Sequence, residues 1–347
     1  MVSAVDARKA APSPPIGRGL SYPPLPQEAM ESLASYLPAF QVRRVIARGG
    51  PPSEPSAETH QAVVLFVDVT GFTQLTEELG QRGPAGAEQL SDALNLYFGR
   101  LTDLVTAHGG EILLFAGDAA LALWPCTPEA LGATAAVAAG CALAVCQELS
   151  GFSPAPDIVL RQRAAIGAGP VVMMEVGGSE GEWHLLVAGD AIRQAAAADS
   201  QARTGEVVLS AETWAGVKGV CRGEGLSGGH VRLVTAPKAV PLPAPALASG
   251  AELERVLAPY LPRVVRARIQ TGHGAWIAEF RQVSVLFVTL DDLDFRASET
   301  LGRVQRAMTA MQTTLHRFEG SVYQCLMDDK GTTMVGAFGL PPHALED

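Results

Sequence analysis
The sequence predicts an α+β fold, an α/β sandwich of helices on a mixed sheet, laid down twice in one chain. Three observations carry that prediction. VVLFVDVTGFT at 63–73 is an apolar, β-branched run of strand length that ends in one carboxylate, Asp68, and a Thr70-Gly71 turn into a helix. GEILLFAGDAALALWP at 110–125 is two apolar runs joined by Ala116-Gly117-Asp118, the pattern of a hairpin with a second carboxylate at its tip. Both stretches return, in the same order, towards the other end of the chain.

In chain order, residues 1–27 are rich in proline and lack a periodic apolar pattern, and read as a flexible leader. Residues 28–60 are a lead-in: a helix through ESLASYLPAFQVRRVI (31–46), its apolar face beside Arg43 and Arg44, then a loop, GGPPSEPSAETH (49–60). The first half spans 61–235. After the strand ending at Asp68 come a short helix at 72–79 and a long one at 87–107, in which Leu90, Leu94, Tyr97, Phe98, Leu101, Leu104 and Val105 recur at helical spacing. The hairpin follows, then an alanine-rich helix at 130–146, strands at 162–172 and 183–187, a helix at 190–201, and strands at 206–209 and 231–234. Residues 236–250 are a proline-rich linker, and 251–347 are an incomplete second half.

The second half repeats the first with changes. ERVLAPYLPRVVRARI (254–269) echoes the lead-in helix, VSVLFVTLDDL (283–293) echoes the Asp68 strand, and GSVYQCLMDDKGTTMVGAFGLP (320–341) echoes the hairpin. Thr289 stands where the first copy has Asp68, and Gly331 and its neighbours stand near the place of Asp118. Asp328 and Asp329 are an alternative carboxylate pair, but DDKG is an ordinary hairpin turn. This half is therefore expected not to bind a metal pair. It stops just past its hairpin, so a longer parent protein is expected.

Composition narrows the function. The chain has 347 residues, 48% hydrophobic and 18% charged, which suits two globular domains and not a disordered chain. A formal charge of -10 argues against a general nucleic-acid surface. The five cysteines form no CxxC pair and suggest neither a disulfide framework nor a zinc site, so a reducing, cytoplasmic location is expected. The uncharged stretch ALGATAAVAAGCALAVC (130–146) is at the short limit for a membrane span and lacks basic or aromatic anchors. It reads as a closely packed core helix, and no membrane span is expected. His184 and His316 have no partners at ligand spacing.

An aspartate at a strand end is costly to bury unless something pairs with it, so Asp68 and Asp118 brought together call for a cation. Oxygen ligands without His or Cys favour Mg²⁺ or Mn²⁺ over Zn²⁺, with phosphate oxygens and water filling the remaining positions. Backbone N–H groups from Thr70 to Thr73, at a turn into a helix N-terminus, offer an anion cradle beside it. Singly, Asp68 reads equally well as a capping residue and Asp118 as a turn residue. The pair, on these strands, points to nucleoside triphosphate chemistry.

FVDVTGFTQLTEEL (66–79) followed by LLFAGDAALALW (113–124) resembles the metal-binding half of the class III nucleotidyl cyclases, and most of all their soluble adenylyl cyclase branch. The resemblance implies a ferredoxin-like mixed sheet in each of two pseudo-symmetric halves that pair within the chain, one supplying the aspartates and the other reading the base. It implies conversion of ATP to 3′,5′-cyclic AMP and pyrophosphate by in-line attack of the ribose 3′-oxygen on the α-phosphorus. Asp68 and Asp118 would hold two Mg²⁺ or Mn²⁺ ions, with the Val69 carbonyl on one of them. Thr70, Gly71, Phe72, Thr73 and Gly117 would belong to the nucleotide site. Gln324 stands where the family has its adenine-reading lysine, and as an amide it suits adenine or guanine. The family's bicarbonate-holding positions read Leu114 and Ala196, with Arg193 a turn away, so no bicarbonate stimulation is expected. The Asn and Arg that hold ribose and steady the phosphorane belong to the part of the second half missing here. The alternative is a catalytically degenerate module that binds Mg·ATP and regulates a C-terminal effector region. A weaker third reading is a structural or dimerising module.

Overall fold
A computed structural model describes residues 33–155, 158–238, 251–262, 266, 282–328 and 331–340. The expected leader, the first residues of the lead-in helix, most of the linker and Asp329 lie outside them. The α+β expectation holds: one large mixed sheet and one three-stranded sheet, both packed with helices.

The large sheet is built on β1 (Ser56–Thr70), flanked antiparallel by β3 (Ala119–Cys126) and by β5 (Ile158–Gly177). β2 (Glu111–Ala116) forms the hairpin with β3. β5 also pairs with β4 (Phe152–Ala155), with β6 (Trp183–Gly189) and, in parallel, with β7 (Val207–Leu209). β8 (Arg222–Gly225) and β9 (Val231–Thr235) complete the far edge. Val63, Leu65, Val67 and Val69 alternate onto one face. There they meet α2 (Phe72–Gly80), α3 (Pro84–Ala107) and α4 (Leu131–Glu148). Ala62 and Val64 face the other way, against α1 (Ala39–Arg48) and α5 (Asp190–Asp199). The strand is unbroken in hydrophobicity because both its faces are covered.

Three departures from expectation have plain causes. The lead-in helix is split into a 3₁₀ turn, Leu33–Tyr36, and α1, because Pro38 has no N–H to continue the first and serves as N-cap of the second. The expected loop at 49–60 is strand from Ser56 on, since β5 runs 20 residues and supplies partners as far as Ser56↔Glu175. A short helix, α6 (Ala211–Val217), capped by the Ser210 hydroxyl, was not expected. The segment Pro128–Glu148 is apolar and long enough to cross a bilayer, yet Ala135, Ala138, Ala139, Cys141, Ala142 and Val145 pack into the same core as β1.

The second sheet has the order β10 (Ser284–Leu290), β12 (Gly331–Phe338), β11 (Ser321–Asp328). That is the order β1, β3, β2 over again. α7 (Ala251–Leu257) repeats the lead-in, and the two lead-ins share one apolar cluster through Leu33, Val45, Leu257 and Tyr260. α8 (Glu299–Arg317) packs Val304, Met308, Met311 and Leu315 against Val172, Met174, Val176 and Leu186 of the large sheet. Two glutamines fix the register of this seam. Gln305 donates to the carbonyl of Gly177 and accepts from its N–H, each at 2.8 Å, while the buried Gln312 donates to the Glu182 carbonyl at 2.8 Å and accepts from Ser179 N–H at 3.3 Å.

Candidate active site
Ladder register brings the two aspartates to one end of the sheet. Val67 pairs with Ala120, so Asp68 stands beside the start of β3, and Asp118 sits in the turn that closes β2 onto β3. Gly117, at φ 65°, takes the left-handed conformation that this tight turn needs. Burial above all, with the nearby negative charge of Asp68, pushes the Asp118 carboxyl above the ordinary range, against the opposing effects of its own backbone hydrogen bond and of Arg163. A carboxylate so placed gains from an added cation. Among the described residues no group of three or more His, Cys, Asp or Glu side chains is arranged to hold a metal ion, so a cation here would have these two carboxylates and backbone oxygen to meet it.

On the other side of β1, Asp68 lies opposite Arg163 of β5. Arg163 Nη2 is 2.8 Å from Asp68 Oδ2. The same guanidinium makes two hydrogen bonds to Asp199 at the end of α5, Nε to Oδ1 at 2.9 Å and Nη2 to Oδ2 at 3.1 Å. Neither Arg163 nor Asp199 was found by sequence reasoning. Nothing local marks them: only the β1–β5 register sets Arg163 against Asp68, and only the packing of α5 sets Asp199 over Arg163.

The other expected residues are distributed as follows. The Val69 side chain is buried in the core, which leaves its backbone for the site. Gly71, at φ 97°, is the N-cap of α2, and an added Cβ would meet the Val159 carbonyl oxygen at 3.0 Å. Thr70 and Thr73 are exposed, while the Phe72 ring packs against the core and anchors the start of α2. Gln324 of β11 reaches across the seam, and its Nε2 donates to the Phe115 carbonyl at 2.8 Å, three residues before Asp118. In the second half, the Thr289 hydroxyl lies 3.4 Å from that of Thr333, with no carboxylate in the position of Asp68. Arg193 is engaged by Asp190.

Residues 54–225 match the adenylate and guanylate cyclase catalytic domain. The chain is 26% identical over 362 aligned residues to adenylate cyclase type 10 of Oryctolagus cuniculus, covering 93% of this chain and 22% of that protein. It is 32% identical over 160 residues to adenylate cyclase 1 of Rhizobium meliloti (strain 1021), covering 44% of this chain and 23% of that protein. The solved structure of the adenylyl cyclase CyaB from P. aeruginosa aligns with a TM-score of 0.45 at 23% identity, over 53% of this chain and 98% of that one. This chain thus spans less than a quarter of the length of these two curated relatives.

Proposed function
From the premise that residues 54–225 belong to the adenylate and guanylate cyclase catalytic domain family, we propose that this chain carries an adenylyl cyclase catalytic region that forms 3′,5′-cyclic AMP and pyrophosphate from ATP. The observation that supports it is the pair Asp68 and Asp118 at one sheet end, with Asp118 destabilised as an anion by burial and by its neighbour. The domain bounds proposed are 61–235 for the metal-binding half and 251–347 for the incomplete partner half, joined by 236–250. The five cysteines are free thiols, in keeping with a cytoplasmic setting.

The donor set fits divalent metal. Bound by Asp68 and Asp118, two Mg²⁺ or Mn²⁺ ions would make the ribose 3′-hydroxyl a better nucleophile and offset charge on the triphosphate. Asp68 and Asp118 hold that charge at the end of β1, and Val69 contributes its carbonyl. Main-chain N–H groups of Thr70, Gly71, Phe72 and Thr73, with Gly117, receive the polyphosphate, helped by the Thr73 hydroxyl. Arg163, held by Asp199, supplies a cation beside them. One N–H of the Gln324 amide is committed to the Phe115 carbonyl, which leaves its second N–H and Oε1 for the base, a pairing that suits adenine or guanine. The second half lacks a counterpart of Asp68 at Thr289, so it shapes the site and holds no metal. Leu114 and Ala196 bring no charge to the place where the family holds bicarbonate, and activity at fixed pH is expected not to rise with bicarbonate.

The test is cyclic nucleotide formation from ATP and from GTP with Mn²⁺, by this chain and by its Asp68→Ala and Asp118→Ala variants. Cyclic AMP from the parent chain, reduced at least about 100-fold in both variants, is the expected result. Metal-dependent ATP binding without product would instead favour the degenerate sensor, for which Gln324 in place of the family's lysine is the favouring observation. Absence of metal-dependent ATP binding would overturn the assignment of both aspartates.

A further inference from the structure
We propose that Asp199 is a positioning residue for the metal site: it holds Arg163 as a resident counter-ion that must be drawn off Asp68 before a divalent cation binds there. The inference rests on the reading of Asp68 and Asp118 as metal ligands and concerns what regulates access to them.

One guanidinium stands between two carboxylates. Nη2 is shared by Asp68 Oδ2 at 2.8 Å and Asp199 Oδ2 at 3.1 Å, while Nε is given to Asp199 alone at 2.9 Å. The Asp199 contact is therefore bidentate and the Asp68 contact single, and bidentate arginine–carboxylate pairs are the stronger and the better oriented. Asp199 is also the more sheltered partner, with 14% of its side chain exposed against 23% for Asp68. When a cation claims Asp68, Arg163 can give up its weaker contact and keep its stronger one. It is never left as an unpaired, half-buried charge, which would be costly. Asp199 also adds a third negative charge to Asp68 and Asp118 around a single positive one, so the site attracts cations in spite of its arginine.

The geometry is built into the fold. α5 carries Asp199 in its last turn, and it lies close on β5 because Gly167, on the same face of β5 as Arg163, has no side chain. A Cβ there would meet the Ala191 carbonyl oxygen at 2.0 Å and the Ala195 nitrogen at 2.7 Å.

Mn²⁺ binding to the whole chain without nucleotide, followed by the electron paramagnetic resonance signal of free Mn²⁺, tests this directly. Asp199→Asn is expected to weaken binding roughly 3- to 10-fold, because Arg163 then has only Asp68 for a charged partner. Arg163→Gln is expected to tighten binding by a similar factor. In the Arg163→Gln background Asp199→Asn is expected to have little further effect, so the two substitutions couple. Asp199→Glu, which restores the carboxylate, is expected to recover most of the affinity, and metal-free melting curves of each variant separate loss of fold from loss of affinity. Asp199→Asn binding like the parent, or weakening binding equally with and without Arg163, would overturn the proposal; the latter is simple charge acting through space. Asp68→Ala serves as reference: unchanged Mn²⁺ binding there would overturn the metal-site reading itself and this inference with it.

Discussion

Glu175 shows how much one side chain can organise. It lies on β5 with only 1% of its side chain exposed, and it receives Arg48 Nη1 at 2.5 Å, Arg44 Nη2 at 3.3 Å and the Tyr260 hydroxyl at 2.6 Å. Burial alone would raise its pKa, but the hydrogen bonds from Arg48 and Tyr260 and the charges of Arg48 and Arg44 win and hold it down to about 2. A carboxylate held below its unfolded value of 4.5 contributes stability that is fully present above that pH and is lost as pH falls towards 2. Glu175→Gln is expected to cost about 3 kcal/mol at pH 7 and to flatten the acid limb of the stability–pH curve, as urea unfolding between pH 3 and pH 7 would show. An equal loss at pH 3 would mean that Glu175 acts by shape and not by charge. The sequence made Arg44 visible beside an apolar helix face, but gave no reason to join it to Glu175, 131 residues away. Asp68 and Asp118 were legible for a different reason: each sits in a short, self-contained turn motif.

At the scale of elements, the contact of α5 on β5 joins stability to the site. Gly167→Ala would place a methyl group against helix backbone, which cannot move aside as a flexible side chain would. It is expected to cost about 1–3 kcal/mol, a fall of roughly 2–12 °C in the melting temperature, and to weaken Mn²⁺ binding by lifting Asp199 from Arg163. A stable variant with unchanged melting would show that α5 rides further from β5 than described. Helix periodicity made α3 legible, since its apolar residues face a single core. The alanine-rich α4 was legible by the absence of charge and of membrane anchors. The length of β5 was not, because a long strand is sustained by its partners β1 and β6, whose positions no local pattern reports.

At the scale of the molecule, the two halves are held by α8 on the turn between β5 and β6. Gln312→Ala would leave the Ser179 N–H without its partner and the Glu182 carbonyl with Gly178 N–H alone, at a cost of about 1–3 kcal/mol, and Met308→Ala would open a cavity in the shared core for about 2–5 kcal/mol. Both changes are expected to lower the melting temperature of the intact chain and to reduce cyclic nucleotide formation more than Mn²⁺ binding, since the proposed metal ligands lie in the first half. Equal loss of both would show that the halves do not act as separable parts. The same seam holds a cluster that the sequence did not suggest: buried Glu182 lies 3.0 Å from His184 and 3.5 Å from His316. Its carboxyl is kept below the ordinary range because these histidines and Arg266 outweigh burial. His184 and His316 read as solitary along the chain because they stand 132 positions apart, and only the docking of α8 brings both to one carboxylate.

By itself the sequence determined the fold class and displayed the duplication, the two aspartates in their turn motifs and the threonine, Thr289, at the matching place. All of these are recorded in short-range signals: strand runs, turn residues, helical periodicity and their repetition. Tertiary structure alone decided that helices cover both faces of the large sheet, that Arg163 stands between Asp68 and Asp199, that Gln324 bonds to Phe115, and that two glutamines of α8 clamp Gly177 and its turn. Each of these depends on strand register or on how closely two elements approach. Such properties belong to pairs of distant segments, and a shift of one residue in register would have replaced every one of those partners.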